Sequence, residues 1–221
     1  MNAVLEPLVG SPKLPDYVQE LNSLLASERE RRQRFYEEVT EEFKAEFING
    51  EVIMHSPARR SHTLACMNLV NLLKNYVARH GLGEVHTEKS LVCLTRNDYE
   101  PDIMFFGLEK AATLTTSQMR FPAPDFVVEV LSESAEQRDR GIKFEDYAAN
   151  GVAEYWLVDA EARTVEQFRL VEGAFRLHRK VGEEDPLASL AVTGFEIPVQ
   201  AIFDEETNRQ TVLALLGLPR T

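Results

Sequence analysis

Glu129 lies in Pro124-Asp125-Phe126-Val127-Val128-Glu129-Val130-Leu131, which is otherwise the apolar run of a buried strand. An unpaired carboxylate there would lose its hydration without compensation. Asp102 has a similar setting in Tyr99-Glu100-Pro101-Asp102-Ile103-Met104-Phe105-Phe106. Side chains alternate across a strand, so Asp102 shares a face with Met104 and Phe106, and Glu129 with Val127 and Leu131. If the two strands pair with these faces aligned, both carboxylates project to one spot, where a shared cation would make them tolerable. Hard oxygen ligands suit magnesium or manganese, and such a site can activate water and neutralise charge on a phosphodiester. The alternative is a pair of acids at strand ends, satisfied by backbone amides or by arginine.

Three further residues are candidates. Lys143 follows Glu129 by 14 residues, on a helix and one turn before Tyr147. A lysine beside a scissile phosphate could stabilise developing negative charge and orient the attacking water. The competing reading is an exposed helical lysine, with Arg138 and Arg140 as substitutes. Glu46 shares a strand face with Lys44 and Ile48 and could complete a metal shell, or be a surface strand residue. His62 aligns with Cys66, Leu69 and Leu73 on the inward face of a helix. It could touch a substrate phosphate or a neighbouring acid, or be a hydrogen-bonded core histidine. His55, His80, His86 and His178 have no zinc-site spacing.

The elements that must position these residues are legible in outline. Residues 1 to about 15 read as a proline-bearing arm, and Asp16 as the cap of a helix running to about Glu38. Glu28-Arg29-Glu30-Arg31-Arg32-Gln33-Arg34 reads as a solvated helical surface. Phe43–Ile48 and Glu51–Met54 flank Asn49-Gly50, a two-residue hairpin signal. Ser61 reads as the N-cap of a helix that ends at His80-Gly81, with Leu69, Leu73 and Val77 as its apolar stripe. Strands are expected over Val85–Leu94, Tyr99–Phe106 and Phe126–Leu131, and residues 108–124 as mostly loop. A helix over Glu136–Ala149 precedes a strand at Glu154–Val158 and a meander through Val165–Leu170 and Phe175–Lys180. A short strand within Phe195–Phe203 and a short helix or tail over Thr211–Leu218 close the chain. Together they suggest an α/β (α+β) fold: a mixed sheet with helices on both faces.

Composition narrows the function. The 221 residues suit one domain with appendages: an N-terminal arm and helix over 1–40 and a single domain over 41–221. No run reaches the roughly 18 apolar residues of a membrane span, and the start lacks a signal-peptide pattern, so a cytoplasmic location is expected. Cys66 and Cys93 read as free core thiols. A net charge of −12 argues against avid non-specific DNA binding and leaves room for a local basic patch. There is no Gly-rich phosphate loop, no Gly-x-Ser-x-Gly elbow and no RNA-binding aromatic pattern.

The stretch Pro124 to Ser132 resembles the hallmark segment of the Uma family, and so does its continuation through Arg138-Asp139, Lys143, Tyr147 and Gly151 to Asp159. Glu46-Phe47-Ile48-Asn49-Gly50-Glu51, Ser56-Pro57, His62 and Pro101-Asp102 are similar to the family's upstream pattern. The likeness covers roughly residues 43 to 205. It implies the PD-(D/E)XK nuclease superfamily: a restriction-endonuclease-like fold, with a central mixed sheet flanked by helices and an added antiparallel meander. It also implies metal-dependent phosphodiester hydrolysis. In that resemblance Glu46, Asp102 and Glu129 are the metal acids, with Mg2+ or Mn2+ as cofactor, and His62 is a recurrent histidine. The superfamily lysine is absent two residues after Glu129, where Leu131 stands, and Lys143 is its replacement on the next helix. The expected function is a DNA endonuclease in which water attacks phosphorus in line and leaves a 5′-phosphate. The alternative is a nuclease-fold module without catalysis that acts in DNA or protein binding. A homodimer is expected, because DNA offers two strands to a two-fold partner, and the N-terminal helix is a candidate interface.

Overall fold

The computed structural model describes residues 5–40 and 44–219. Phe43 and the first four residues of the arm lie outside the described residues. Within the arm a single turn, α1 (Glu6–Val9), precedes the long helix α2 (Leu14–Glu38). The C-terminal part of α2 buries Phe35, whose ring stacks on Phe47 of β1 (Ala45–Ile48) with centroids 5.7 Å apart. β1 returns through Asn49-Gly50 into β2 (Glu51–Met54), with Ile48 opposite Glu51. Both turn residues have positive φ, 51° and 86°, the combination a two-residue hairpin demands. A Cβ at Gly50 would also lie 2.7 Å from Arg31 Nη2, so this glycine lets the hairpin tuck beneath α2.

α3 (Arg60–His80) ends as expected at Gly81, in a left-handed cap with φ 61°. Its start differs from expectation. The N-cap is Arg59, and Ser61 lies inside the first turn, where its Oγ donates to Glu161 at 2.9 Å. Leu69, Leu72, Leu73 and Val77 are buried, each contributing on the order of 1.5–3 kcal/mol.

Two expected strands are each cut in half. Val85–Leu94 becomes β3 (Gly83–Thr87) and β4 (Leu91–Cys93), separated by Lys89 at φ 66°. Tyr99–Phe106 becomes β5 (Asp98–Tyr99) and β6 (Ile103–Gly107), because Pro101 has no N–H to give a ladder. Each cut carries the chain between sheets. One sheet has the order β2-β1-β5-β4-β7, where β7 is Arg120–Phe121, and the other β11-β10-β9-β8-β6-β3, where β8 is Phe126–Val130, β9 Glu154–Asp159, β10 Thr164–Val171 and β11 Ala174–Gly182. The segment expected as loop holds α4 (Leu108–Ala111) and β7 (Arg120–Phe121), which lead into β8 (Phe126–Val130).

The helix expected over Glu136–Ala149 is broken into α5 (Glu136–Asp139) and α6 (Ile142–Ala149). Gly141 sits at the break, where a Cβ would lie 2.8 Å from the Gln137 carbonyl oxygen. β9 (Glu154–Asp159), β10 (Thr164–Val171) and β11 (Ala174–Gly182) form the meander. A small pair follows, β12 (Pro186–Ala188) with β13 (Glu196–Pro198), and β12 was not anticipated. α7 (Gln200–Phe203) and α8 (Glu205–Leu215) close the chain. α8 starts well before Thr211 because Asp204 caps it, accepting from the Thr207 amide at 2.8 Å.

β8 and β9 run parallel, and their other neighbours in the larger sheet run antiparallel, so that sheet is mixed. Its alternating side chains feed two cores. Ile103, Phe105, Phe126, Val128 and Trp156 face α3, α7 and α8. Met104, Phe106, Val127, Tyr155 and Leu157 face α6 and the smaller sheet. This is the helix-flanked mixed α/β architecture expected. No helix among the described residues is long and apolar enough to cross a membrane.

Candidate active site

The register of β6 on β8 pairs Ile103 with Val128, which leaves Asp102 beside Glu129 at the next step. The Val130 amide donates to Asp102 Oδ2 at 2.8 Å, and the Asp102 amide to Glu129 Oε2 at 3.4 Å. Glu46 reaches the same place from β1, its Oε1 accepting from the Glu100 amide at 3.1 Å. The crossing at Pro101 therefore does two jobs. It moves the chain between sheets, and the amides on either side of it hold one carboxylate each.

Lys143 enters from α6. Its Nζ lies 2.9 Å from Glu46 Oε1, 3.1 Å from Glu129 Oε1 and 3.2 Å from Asp139 Oδ1. Tyr147, one turn on, donates to Glu129 Oε1 at 3.3 Å. Lys143 is only 2 % exposed, so the reading as a surface lysine does not hold. The break at Gly141 is what lets α6 aim it inward while Asp139 closes the nest from α5.

Three buried carboxylates share this one ammonium, and their ionisation divides accordingly. Burial pushes Glu129 up to about 8 against the pull of Lys143, with the charges of Asp139, Asp102 and Glu46 adding to the rise. Burial likewise raises Asp139. Glu46 goes the other way: burial opposes its charge, but Lys143 and His55 outweigh it and hold the carboxyl down at about 2. Burial opposes the charge of Lys143 as well, and Glu129, Glu46 and Asp139 more than restore it. His55 Nε2 lies 3.0 Å from Glu46 Oε2 but off hydrogen-bond alignment, so that buried oxygen has no hydrogen-bond partner among the described residues.

Asp102 faces a second group of charges. Lys44 Nζ is 3.1 Å from Asp102 Oδ1 and 3.6 Å from Glu88 Oε1. His62 Nε2 is 3.6 Å from Asp102 Oδ1 and 3.9 Å from Glu88 Oε1. Burial disfavours the Asp102 charge, yet His62, Lys44 and the Val130 amide keep its carboxyl well below the usual range. Cys66 is one turn beyond His62 on α3, and donor atoms of His62, Cys66 and Asp102 lie within 4.8 Å of one another.

These groups open on a cleft of about 1110 Å³ whose walls include Lys44, His55, His62, Asp102, Glu129 and Arg138. Asp139 and Lys143 also reach it, whereas Glu46 lies behind them and is fully buried. The structure thus gathers Glu46, Asp102, Glu129 and Lys143 into one cluster and puts His62 on the far side of Asp102. Sequence reasoning gave no role to Asp139, Lys44, His55 or Cys66. The signals existed for three of them: Asp139 stands four residues before Lys143, Cys66 four after His62, and Lys44 two before Glu46 on a strand. His55 had none.

Residues 30–200 match the family described as "Uma2: Putative restriction endonuclease". An uncharacterized protein, sll1609, of Synechocystis sp. (strain ATCC 27184 / PCC 6803 / Kazusa) is 31% identical over 137 residues, which span 61% of this chain and 76% of that protein. The crystal structure of a nuclease described as putative and belonging to DUF820, from Anabaena variabilis ATCC 29413, superposes with a TM-score of 0.65 at 17% identity. The match covers 76% of this chain and 94% of that one, and it shows a shared fold. With more than half of its length matched, the chain belongs to the Uma2 family of restriction-endonuclease-like proteins.

Proposed function

We propose that the chain is a metal-dependent DNA endonuclease that hydrolyses phosphodiester bonds at the Asp102–Glu129 wall of the cleft. The observation that carries this reading is the deficit of donors around the carboxylates. Glu46, Glu129 and Asp139 share one ammonium among the described residues, and Glu46 Oε2 and Asp139 Oδ1 are buried with an ion-pair contact each, to His55 and to Lys143, and no aligned hydrogen bond. An all-oxygen set of this kind fits Mg2+ or Mn2+. Asp102 and Glu129 would hold the ion from the cleft wall, with Glu46 as the third acid behind them. When bound there, the ion supplies charge for the phosphodiester and a more acidic water.

The chain's own residues do the rest. Lys143 keeps Glu46 and Glu129 together and presents its ammonium beside the acids, where it can meet charge that develops on phosphorus oxygens. His62, pressed against Asp102, can donate to a phosphate oxygen from the other side. Lys44 and Arg138 line the same cleft and supply the local positive charge that a chain of net −12 needs to receive DNA. Exposed Val18, Leu21 and Leu25 on α2 support a homodimer, which light scattering of the purified protein would detect.

The second reading, a nuclease fold without catalysis, rests on Leu131 standing where the superfamily has its lysine. Lys143 weighs against it, because its ammonium reaches Glu129 from the next helix. The test is cleavage of plasmid and oligonucleotide DNA with Mg2+ and then Mn2+. Wild type should cut and Asp102→Ala should not, with both melting as folded proteins. Wild type should also melt higher with either ion, since a ligand bound only by the folded state stabilises it. Cleavage by Asp102→Ala would sink the assignment, and no cleavage by wild type on any DNA would favour the binding module.

A further inference from the structure

We infer that His62, Cys66 and Asp102 form a second metal site of different chemistry, one for a zinc-class ion, on the outer side of Asp102. His62 and Cys66 are four residues apart on α3, so both side chains lie on one face. Donor atoms of His62, Cys66 and Asp102 are already within 4.8 Å of one another. A thiol, an imidazole and a carboxylate make a mixed soft and hard set that zinc accepts in tetrahedral geometry and magnesium does not. Three protein donors leave the fourth position to water, with Glu88 on the rim 3.9 Å from His62.

The two metal sites divide Asp102 between them. Its Oδ2 is held by the Val130 amide, while Oδ1 faces Lys44 and His62. Lys44 stays compatible with the ion. A thiolate, two carboxylates and a doubly charged cation sum to minus one, and the Lys44 ammonium brings the group to neutrality. Binding releases to solvent both the Cys66 thiol proton and the proton that His62 holds against Asp102. Cys66 and His62 are both partly exposed, so an ion can reach them without opening the core.

A zinc-class ion here would engage the acid that the proposed hydrolytic site needs, so zinc would inhibit cleavage. That consequence rests on the nuclease reading, whereas the site itself does not. The two are therefore tested separately. Cobalt(II) chloride, a spectroscopic stand-in for zinc, is titrated into the full-length protein. Wild type should show a thiolate-to-cobalt charge-transfer band in the near ultraviolet, and zinc should displace it. Cys66→Ser should lose the band, Cys93→Ser should keep it, and His62→Ala should weaken binding by more than about 10-fold. Zinc should raise the melting temperature of wild type and leave that of Cys66→Ser unmoved. No band in wild type, or a band that survives Cys66→Ser, overturns the site. In the activity arm, zinc should block magnesium-supported cleavage by wild type more strongly than by Cys66→Ser. Equal inhibition of both overturns the inhibitory consequence and leaves the binding result to stand on its own spectra.

Discussion

Glu154 and Glu129 sit on neighbouring parallel strands of one sheet, both buried, on opposite faces. Glu154 is saturated. Its Oε1 accepts from Trp156 Nε1 at 2.6 Å and from Gln167 Nε2, and its Oε2 accepts from Ser189 Oγ at 2.6 Å and from the Leu190 and Ala191 amides at 2.9 and 2.8 Å. Five neutral donors spread its charge and tie the 189–191 loop to the sheet. Glu129 has the Tyr147 hydroxyl, one long amide contact and a third share of one ammonium. A buried carboxylate is therefore not in itself a sign of chemistry. The sign is the shortfall: too few neutral donors, several acids together, and an opening to a cleft.

The largest test of this contrast is removal of the shared cation. Lys143→Ala leaves three carboxylates buried around an empty position, and should destabilise the fold by about 3–5 kcal/mol near neutral pH. Urea unfolding reads it directly. Adding Glu46→Gln to the same chain should recover part of the loss, because Glu46 is the acid of the nest that stays ionised and its charge is the one left stranded. A loss below about 1 kcal/mol would mean the nest accommodates its acids by some other route.

Next in size is the saturated face. Glu154→Ala strands an indole, a hydroxyl and two amides, and should cost about 3 kcal/mol. Specific cleavage of the folded fraction should nevertheless stay at the wild-type level, since Glu154 faces away from the cleft. Glu154→Gln should also destabilise: its amide nitrogen must meet donors on one side or the other. A variant that folds as well as wild type but no longer cuts DNA would erase the distinction between the two faces.

The sequence could not separate these two acids, because each stands in an equally apolar run and only the tertiary donors differ. Other parts were plainer. The hairpin at Asn49-Gly50 and the cap at Gly81 are dictated locally by positive φ, and both formed as expected. Asp102 and Glu129 were legible because strand alternation carries a side chain to a definite face. The strand breaks at Lys89 and Pro101 were not, since an apolar run does not say when a chain leaves one sheet for another. The same limit hid Asp139. Four-residue spacing from Lys143 is common on solvated helices, and only the break at Gly141 turns both residues inward.

The smallest change in stability is expected where the change in activity is complete. Burial and neighbouring acids raise Glu129 to about 8 in the folded chain, from an ordinary value of 4.5. Between those values the folded state binds a proton that the unfolded state has released, so stability falls as pH rises across the window. Glu46 and Asp102 are lowered instead, so what they contribute is lost only toward the acid extreme. Glu129→Gln imitates the protonated acid: its oxygen can keep Lys143 and Tyr147, and its nitrogen gives up only the long 3.4 Å contact from the Asp102 amide. Its cost at neutral pH should stay under about 1 kcal/mol, although cleavage and the magnesium-induced rise in melting temperature should both vanish. Urea midpoints compared at about pH 5 and about pH 8 should then decline for wild type and decline less steeply for Glu129→Gln, the remaining slope coming from Asp139, Glu100 and His62, which folding also raises. Equal slopes would show Glu129 ionised throughout, which would require the single ammonium of Lys143 to hold three full charges and would return Glu129 to the same class as Glu154.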